Sequence, residues 1–440
     1  MPGAEGSCRC GTTVLRSQLR PALTDSFHRP SPPVSSFTPI PNEFEPAEPA
    51  ELGFEPRVLA EIRPGIEDLI ARQRLAGAVI AVMRRGRTVY FEAVGTRDLA
   101  RELPLDRDAI FRIFSMTKPL ASLTALKLAE RGALDLDAPL EHYLPELADR
   151  QVLEPDGVTV VPARRSLTPR DLLRHTAGMP YGALGRSAGE QLYLQARLLD
   201  PHADLATLVS KLAALPLVSQ PGARFTYGIA TDVLGRLIEV VSKQRFDQCL
   251  SDELLIPLGM SETGFHVSPE SFSRLLELHG RGTNGNLAVM ERPESSRFRK
   301  PQQFLSGGGG LVSTAGDYLR FCRLLLSQGE VAGKPLVQPA TLQAFVGNQL
   351  LGSSYPITIA DQLQPHQGFG LGVSVVCQAP LTPTAPPLGE YGWGGAASTH
   401  FWVSPRDELA VIALSQVMPF TLQLENRIKP IVYRALRDRG

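Results

Sequence analysis

Strand-type sequence lies near the two ends of this chain, and the long middle is helical. "AGAVIAVMRRGRTVYFEAVG" has the pattern of two strands, Ala78–Met83 and Thr88–Val94, joined by a turn at Arg85-Gly86. Strand character then returns in "FGLGVSVVCQ", "HFWVSP" and "ELAVIALSQV". Isolated strands are not stable in water, so the early and late strands must share one sheet, and everything between them is an insertion. The expected organisation is a sheet lobe from residues 51–110 and 365–440, a helical lobe from 111–364, and a cleft between them where a site would form.

The helical signals are local. Leu59, Ile62, Ile66, Leu69 and Ile70 recur at spacings of three and four, with a break or kink expected at Pro64-Gly65. Residues 115–131 read as a helix stopped by Gly132. Thr168 before Pro169 has the form of an N-cap and first helical position, and Thr231 or Asp232 heads the apolar stripe of "TDVLGRLIEVVSKQ". "NRIKPIVYRALRD" reads as a closing helix.

Composition narrows the function. The 45 basic residues balance 45 acidic ones in a chain of 440, which gives no field for nucleic acid or an anionic membrane. Cys8, Cys10, Cys249, Cys322 and Cys377 lack zinc-type spacing and are expected to be reduced thiols, so neither metal nor cofactor is expected. No apolar run approaches the roughly 18 residues that cross a bilayer, and a soluble, cytoplasmic protein is expected. Residues 1–50 contain many Pro, Ser and Arg without periodicity and read as a disordered leader outside a 51–440 domain. Their scarcity of acids also suits an organellar transit peptide, but they lack a secretory apolar core.

One stretch carries chemistry: "FSMTKPLASLTALKLAERG". Pro119 has no amide hydrogen, so it belongs in or near a first helical turn, which sets Ser115 at the helix start where the dipole favours developing negative charge. Lys118, three residues on, shares the face of Ser115. Buried, it would be a base beside a nucleophile; exposed, it would be a solvated side chain beside an N-cap serine. "GARFTYGIATDVLGRLIEVV" places Tyr227 before a helix, where its hydroxyl either reaches a cleft or packs as an ordinary aromatic. "YGWGGAASTHFWVSP" places Trp393, Gly394 and Gly395 before a strand, where the glycines admit a ligand or form a bulge.

These segments in this order resemble the serine β-lactamase and penicillin-binding-protein superfamily, and more closely its class C-like family VIII carboxylesterases. "LTPRDLLRHTAGMPYG", "IPLGMSETGFHV" and "SGGGGLVSTAGDYLRFCRLLL" extend the resemblance to about residues 55–430. It implies an α/β (α+β), β-lactamase-like fold: an antiparallel sheet flanked by helices with an inserted, mostly helical lobe. It also implies that Ser115 attacks a carbonyl and that Lys118 and Tyr227 share the proton transfers. The amides of Ser115 and Ala396 would hold the oxyanion.

Two departures bear on substrate. Tyr227-Gly228-Ile229 lacks the side-chain amide of the β-lactamase pattern, and Trp393-Gly394-Gly395 replaces its lysine-threonine-glycine triplet. A penicillin carboxylate would lose its cation and hydroxyl, which favours ester hydrolysis. The expected protein is a metal-independent serine carboxylesterase acting on a small-molecule ester. A D-amino-acid amidase or peptidase, an acyltransferase, a weak β-lactamase and a non-catalytic penicillin-binding-like protein are the alternatives. Trp393, Gly394, Gly395, Tyr181 and His400 are the candidate substrate-binding residues, with Tyr181 flanking an acyl pocket. His175 reads as structural, "SGGGG" as a tight turn near the cleft wall, and the proline-rich 379–389 as a rim loop or a plain connector.

Overall fold

The computed structural model describes residues 43–100, 103–378 and 385–438. Residues 1–42 of the expected leader, and with them Cys8 and Cys10, lie outside the described residues, as do 379–384 of the proline-rich segment. Residues 43–50 belong to the folded unit, which therefore starts earlier than 51. The Glu43 carboxylate accepts from Arg320 and Arg323, and the Phe44 ring stands edge-on to Phe91 at 6.0 Å. One carboxylate and one ring anchor this piece, so no periodicity announced it.

Among the described residues, seven strands form one antiparallel sheet: β1 (Gly77–Arg84), β2 (Arg87–Gly95), β3 (Gln367–Phe369), β4 (Ser374–Val376), β5 (Tyr391–Gly395), β6 (Thr399–Ser404) and β7 (Leu409–Leu414). Their order is β3-β4-β5-β6-β7-β1-β2. The two ends of the chain meet where β1 pairs with β7, from Val79 opposite Leu414 to Arg84 opposite Leu409. The β1–β2 turn has Arg85 and Gly86 both at positive φ (49° and 73°), the backbone of a two-residue hairpin loop.

Both sheet faces are covered, which explains why the strands are nearly continuous apolar runs. Val79, Ala81, Met83, Phe401, Val403, Ala410, Ile412 and Leu414 share one apolar core with the helices of the inserted middle. Their alternates Ala78, Ile80, Val82, Trp402, Leu409, Val411 and Ala413 face the helices from the two chain ends. Each buried Val, Ile or Leu contributes about 1.5–3 kcal/mol, so both layers are held mainly by apolar burial.

The helices that frame the site and its backing are α1 (Ile62–Ala71), α2 (Thr117–Glu130), α3 (Pro169–Leu173), α4 (Ala230–Ser242), α5 (Ala315–Leu326) and α6 (Gln423–Ala435). Pro64 does not break α1. It sits in the first turn, where its missing amide hydrogen has no helical partner to lose. The expected cap of α3 is present, with Thr168 and Asp171 bonding each other's backbone. α2 is buried almost all round, Thr117 through Leu126 inclusive. No helix among the described residues is long and apolar enough to cross a membrane.

Candidate active site

Phe114 has φ +41°, a conformation that costs a bulky L-residue about 1–3 kcal/mol. It turns the chain from a short strand at 111–112 into a single 3-10 turn, Phe114–Met116, that leads into α2. Ser115 sits in that turn, half-buried. No side chain caps α2, so the N-cap alternative for Ser115 fails. Its Oγ instead accepts from the Tyr227 hydroxyl at 2.8 Å and lies 3.3 Å from Lys118 Nζ.

Lys118 is 1% exposed, because α2 is enclosed on every side. Its Nζ also donates to the Tyr181 hydroxyl and to the Gly308 carbonyl, each at 2.7 Å, and lies 4.8 Å from the centre of the Tyr227 ring. Among the described residues these hydrogen-bond partners are a hydroxyl pair and a carbonyl, all uncharged. Tyr181, expected beside an acyl pocket, therefore turns its hydroxyl onto the lysine. A backbone bridge between Pro180 and Gly228 fixes this, and a Cβ on Gly228 would fall 2.0 Å from Met179 O. Burial, with Tyr227 and Asp232 nearby, pushes the Tyr181 phenol well above its ordinary range.

The third element is β5. A Cβ on Gly395 would lie 2.2 Å from Ile113 O, so only glycine lets the strand end rest against the segment that precedes Ser115. Ala396 follows directly and is partly exposed. Trp393, on the same strand face, stands 5.4 Å from the Tyr227 ring and 5.2 Å from Phe369. Gly394 points the other way, towards Phe420.

His175 packs edge-on against Phe225, Tyr227 and Phe369 at 5.3–5.8 Å. Burial and the Lys118 charge hold it well below the ordinary imidazole range, as a neutral ring behind Tyr227. His400 does not join Ser115, Lys118 and Tyr227, contrary to expectation. Strand alternation puts it with Trp402 on the opposite sheet face, where Nδ1 lies 2.9 Å from Glu425 and Nε2 lies 3.2 Å from Thr421 O. Among the described residues no three His, Cys, Asp or Glu side chains are placed to share a metal ion.

Two further parts of the site were not foreseen. The sequence marks Asp232 only as a helix-start residue, but the residue preceding α4 is Ile229 and Asp232 lies inside its first turn, fully buried. Its Oδ1 accepts from Ser306 Oγ at 2.5 Å and from the Gly308 amide at 3.0 Å. Burial raises its carboxyl, and the Lys118 charge opposes that. The "SGGGG" turn is thus in contact with the lysine. An acid within an apolar helical stripe was the signal available for Asp232.

Comparison with known proteins agrees with this geometry. A family model described as Beta-lactamase matches residues 62–429. Protein Rv1367c of Mycobacterium tuberculosis is 34% identical over 355 residues, 78% of this chain and 86% of that one. Esterase EstB of Burkholderia gladioli is 29% identical over 391 residues, 82% and 93% of the two chains. The solved structure of EstCE1, a hydrolase with promiscuous acyltransferase activity, superposes with a TM-score of 0.73 at 27% identity, covering 86% of this chain and 99% of that one.

Proposed function

The chain belongs to the Beta-lactamase family, here its serine hydrolase and acyltransferase branch, and from that premise we propose that it hydrolyses carboxylic esters through an acyl-enzyme on Ser115. The observation that carries this is the hydroxyl of Ser115 held at 2.8 Å by Tyr227 and at 3.3 Å by Lys118.

Ser115 Oγ attacks the ester carbonyl carbon while the Lys118–Tyr227 pair takes its proton. The amides of Ser115 and Ala396 receive the oxyanion, helped by the positive end of α2. The pair then returns the proton to the departing alkoxide, which leaves as the alcohol. Water enters, gives a proton to the same pair, and its oxygen forms the new bond to the acyl carbon. The acid leaves, and Ser115 regains its proton.

The walls favour uncharged esters over β-lactams. Ile229 stands at the motif position of the side-chain amide that would contact a lactam, and Trp393, its ring against Tyr227, stands at the motif position of the lysine. Acyl transfer to an alcohol is the second reading, favoured by the activity of EstCE1, and needs only that the alcohol enter where water would.

The test is intact-protein mass after incubation with p-nitrophenyl butyrate and, separately, a fluorophosphonate, while nitrophenolate release is followed. Turnover with a single adduct on Ser115, absent in Ser115→Ala, supports esterase action. No adduct and no turnover on wild type would sink it. Adding a primary alcohol and measuring the product ester separates transfer from hydrolysis.

A further inference from the structure

We infer that Asp232 is a positioning residue that holds Lys118 in its working place through the Ser306–Gly308 turn, an inference that rests on the Ser115 chemistry proposed above. Gly308 is gripped at both ends. Its amide donates to Asp232 Oδ1 at 3.0 Å, and its carbonyl accepts from Lys118 Nζ at 2.7 Å. Ser306 Oγ, donating to the same Oδ1, closes the turn on the acid.

The turn must be glycine to do this. A Cβ on Gly308 would fall 2.6 Å from Asp232 Oδ2 and 2.8 Å from the Tyr181 hydroxyl, so both groups converge on the bare Cα. A Cβ on Gly307 would fall 2.3 Å from Thr231 O, so the turn also lies directly on the first turn of α4. The glycines thus seat the turn between α4 and the lysine.

The second oxygen of the acid, Asp232 Oδ2, is buried with no hydrogen-bond partner among the described residues. An open, solvent-shielded carboxylate oxygen is unfavourable unless a nearby charge compensates it. Lys118 is that charge, and its own hydrogen-bond partners are uncharged. A carboxylate in direct contact would hold the lysine proton and compete with Ser115 for it. Set back behind Gly308, Asp232 supplies the charge and fixes the geometry while leaving the proton free to move. The titratable groups gathered here are Lys118 on α2, Tyr181 and His175 from the chain following α3, and Tyr227 and Asp232 at the start of α4.

The experiment compares the full-length wild type with Asp232→Asn, Asp232→Ala and Gly308→Ala. Asparagine keeps an acceptor for the Gly308 amide but removes the charge. The readouts are the rate of Ser115 phosphonylation by a fluorophosphonate, kcat and KM for p-nitrophenyl butyrate across pH, and thermal unfolding. For folded Asp232→Asn we expect phosphonylation and kcat to fall about 10- to 100-fold with KM within about twofold. Asp232→Ala should lose more, and Gly308→Ala should slow phosphonylation by displacing the carbonyl from Lys118.

Wild-type phosphonylation rate and kcat in folded Asp232→Asn would overturn the inference. If that variant does not fold, a wild-type phosphonylation rate in Gly308→Ala overturns it instead. Failure of wild type to be phosphonylated at Ser115 removes the esterase reading and this inference together. Reaction of wild type with no change in the variants removes the inference alone.

Discussion

Two lysines lie on opposite sides of one sheet, Lys118 buried and Lys429 partly so, and their surroundings differ in kind. Lys429 on α6 makes direct ion pairs, with Nζ 2.6 Å from Glu425 and 2.9 Å from Glu390, above the Trp402 ring. Burial works against its charge, but the two carboxylates prevail and hold its pKa above the ordinary lysine range. Glu425, opposed in turn by burial, is held low by Lys429 and His400. Every charge there has an opposite in contact, so the cluster fastens α6 to the sheet and has no proton to exchange. Lys118 meets hydroxyls and a carbonyl instead, and its nearest buried acid stands one residue away. A lysine in ion pairs is a fastening; a lysine among hydroxyls can pass a proton.

The largest expected effect tests the catalytic side. Ser115→Ala should abolish turnover of p-nitrophenyl butyrate, a loss of about 10⁴-fold or more, with the melting temperature nearly unchanged because Ser115 caps nothing. Residual turnover within tenfold of wild type would move the nucleophile elsewhere.

A matched pair of substitutions then sets the lysines against each other. Lys118→Met should reduce kcat/KM by about 10³-fold. Lys429→Met should leave Glu390 without its cation and Glu425 with His400 alone, and reduce the unfolding free energy, measured in urea, by about 3–5 kcal/mol, with kcat of the folded fraction little changed. If Lys429→Met instead abolished activity in fully folded protein, the two lysines would not differ in the way described.

The smallest effect concerns pH and His175. Its folded pKa lies below its unfolded value, so the stability it contributes is complete above about pH 6.5 and is lost as pH falls below that, by at most about 1.4 kcal/mol per pH unit. Asp317, pushed up to about 6 chiefly by burial, runs the other way, and its contribution is lost as pH rises through 6. His175→Asn, which tolerates the local φ of +55°, should therefore flatten the acid side of the melting profile. An unchanged slope would remove His175 from the acid response.

Much of this was legible in particular residues. The β1–β2 hairpin, the N-cap at Thr168 and the face shared by Ser115 and Lys118 all follow from spacings of a few residues. Residues related across the fold were harder to read. His400 and Phe401 are neighbours in sequence, and only the sheet register assigns Phe401 to the helical lobe and His400 to Glu425. Tyr181 and Tyr227 are both tyrosines in loops, and what separates them is the Pro180–Gly228 bridge that aims one at Lys118 and leaves the other on Ser115.

By itself the sequence determined which segments are strands and helices, that the chain ends share a sheet, and that a serine and a lysine stand one turn apart, because these depend on local periodicity, proline and glycine. Only the tertiary structure decided that Lys118 is buried among uncharged partners, that Asp232 grips the glycine turn behind it, and that His400 belongs to the opposite face. Burial and charge compensation are set by whatever packs against a residue, and here those neighbours lie up to 190 residues away along the chain.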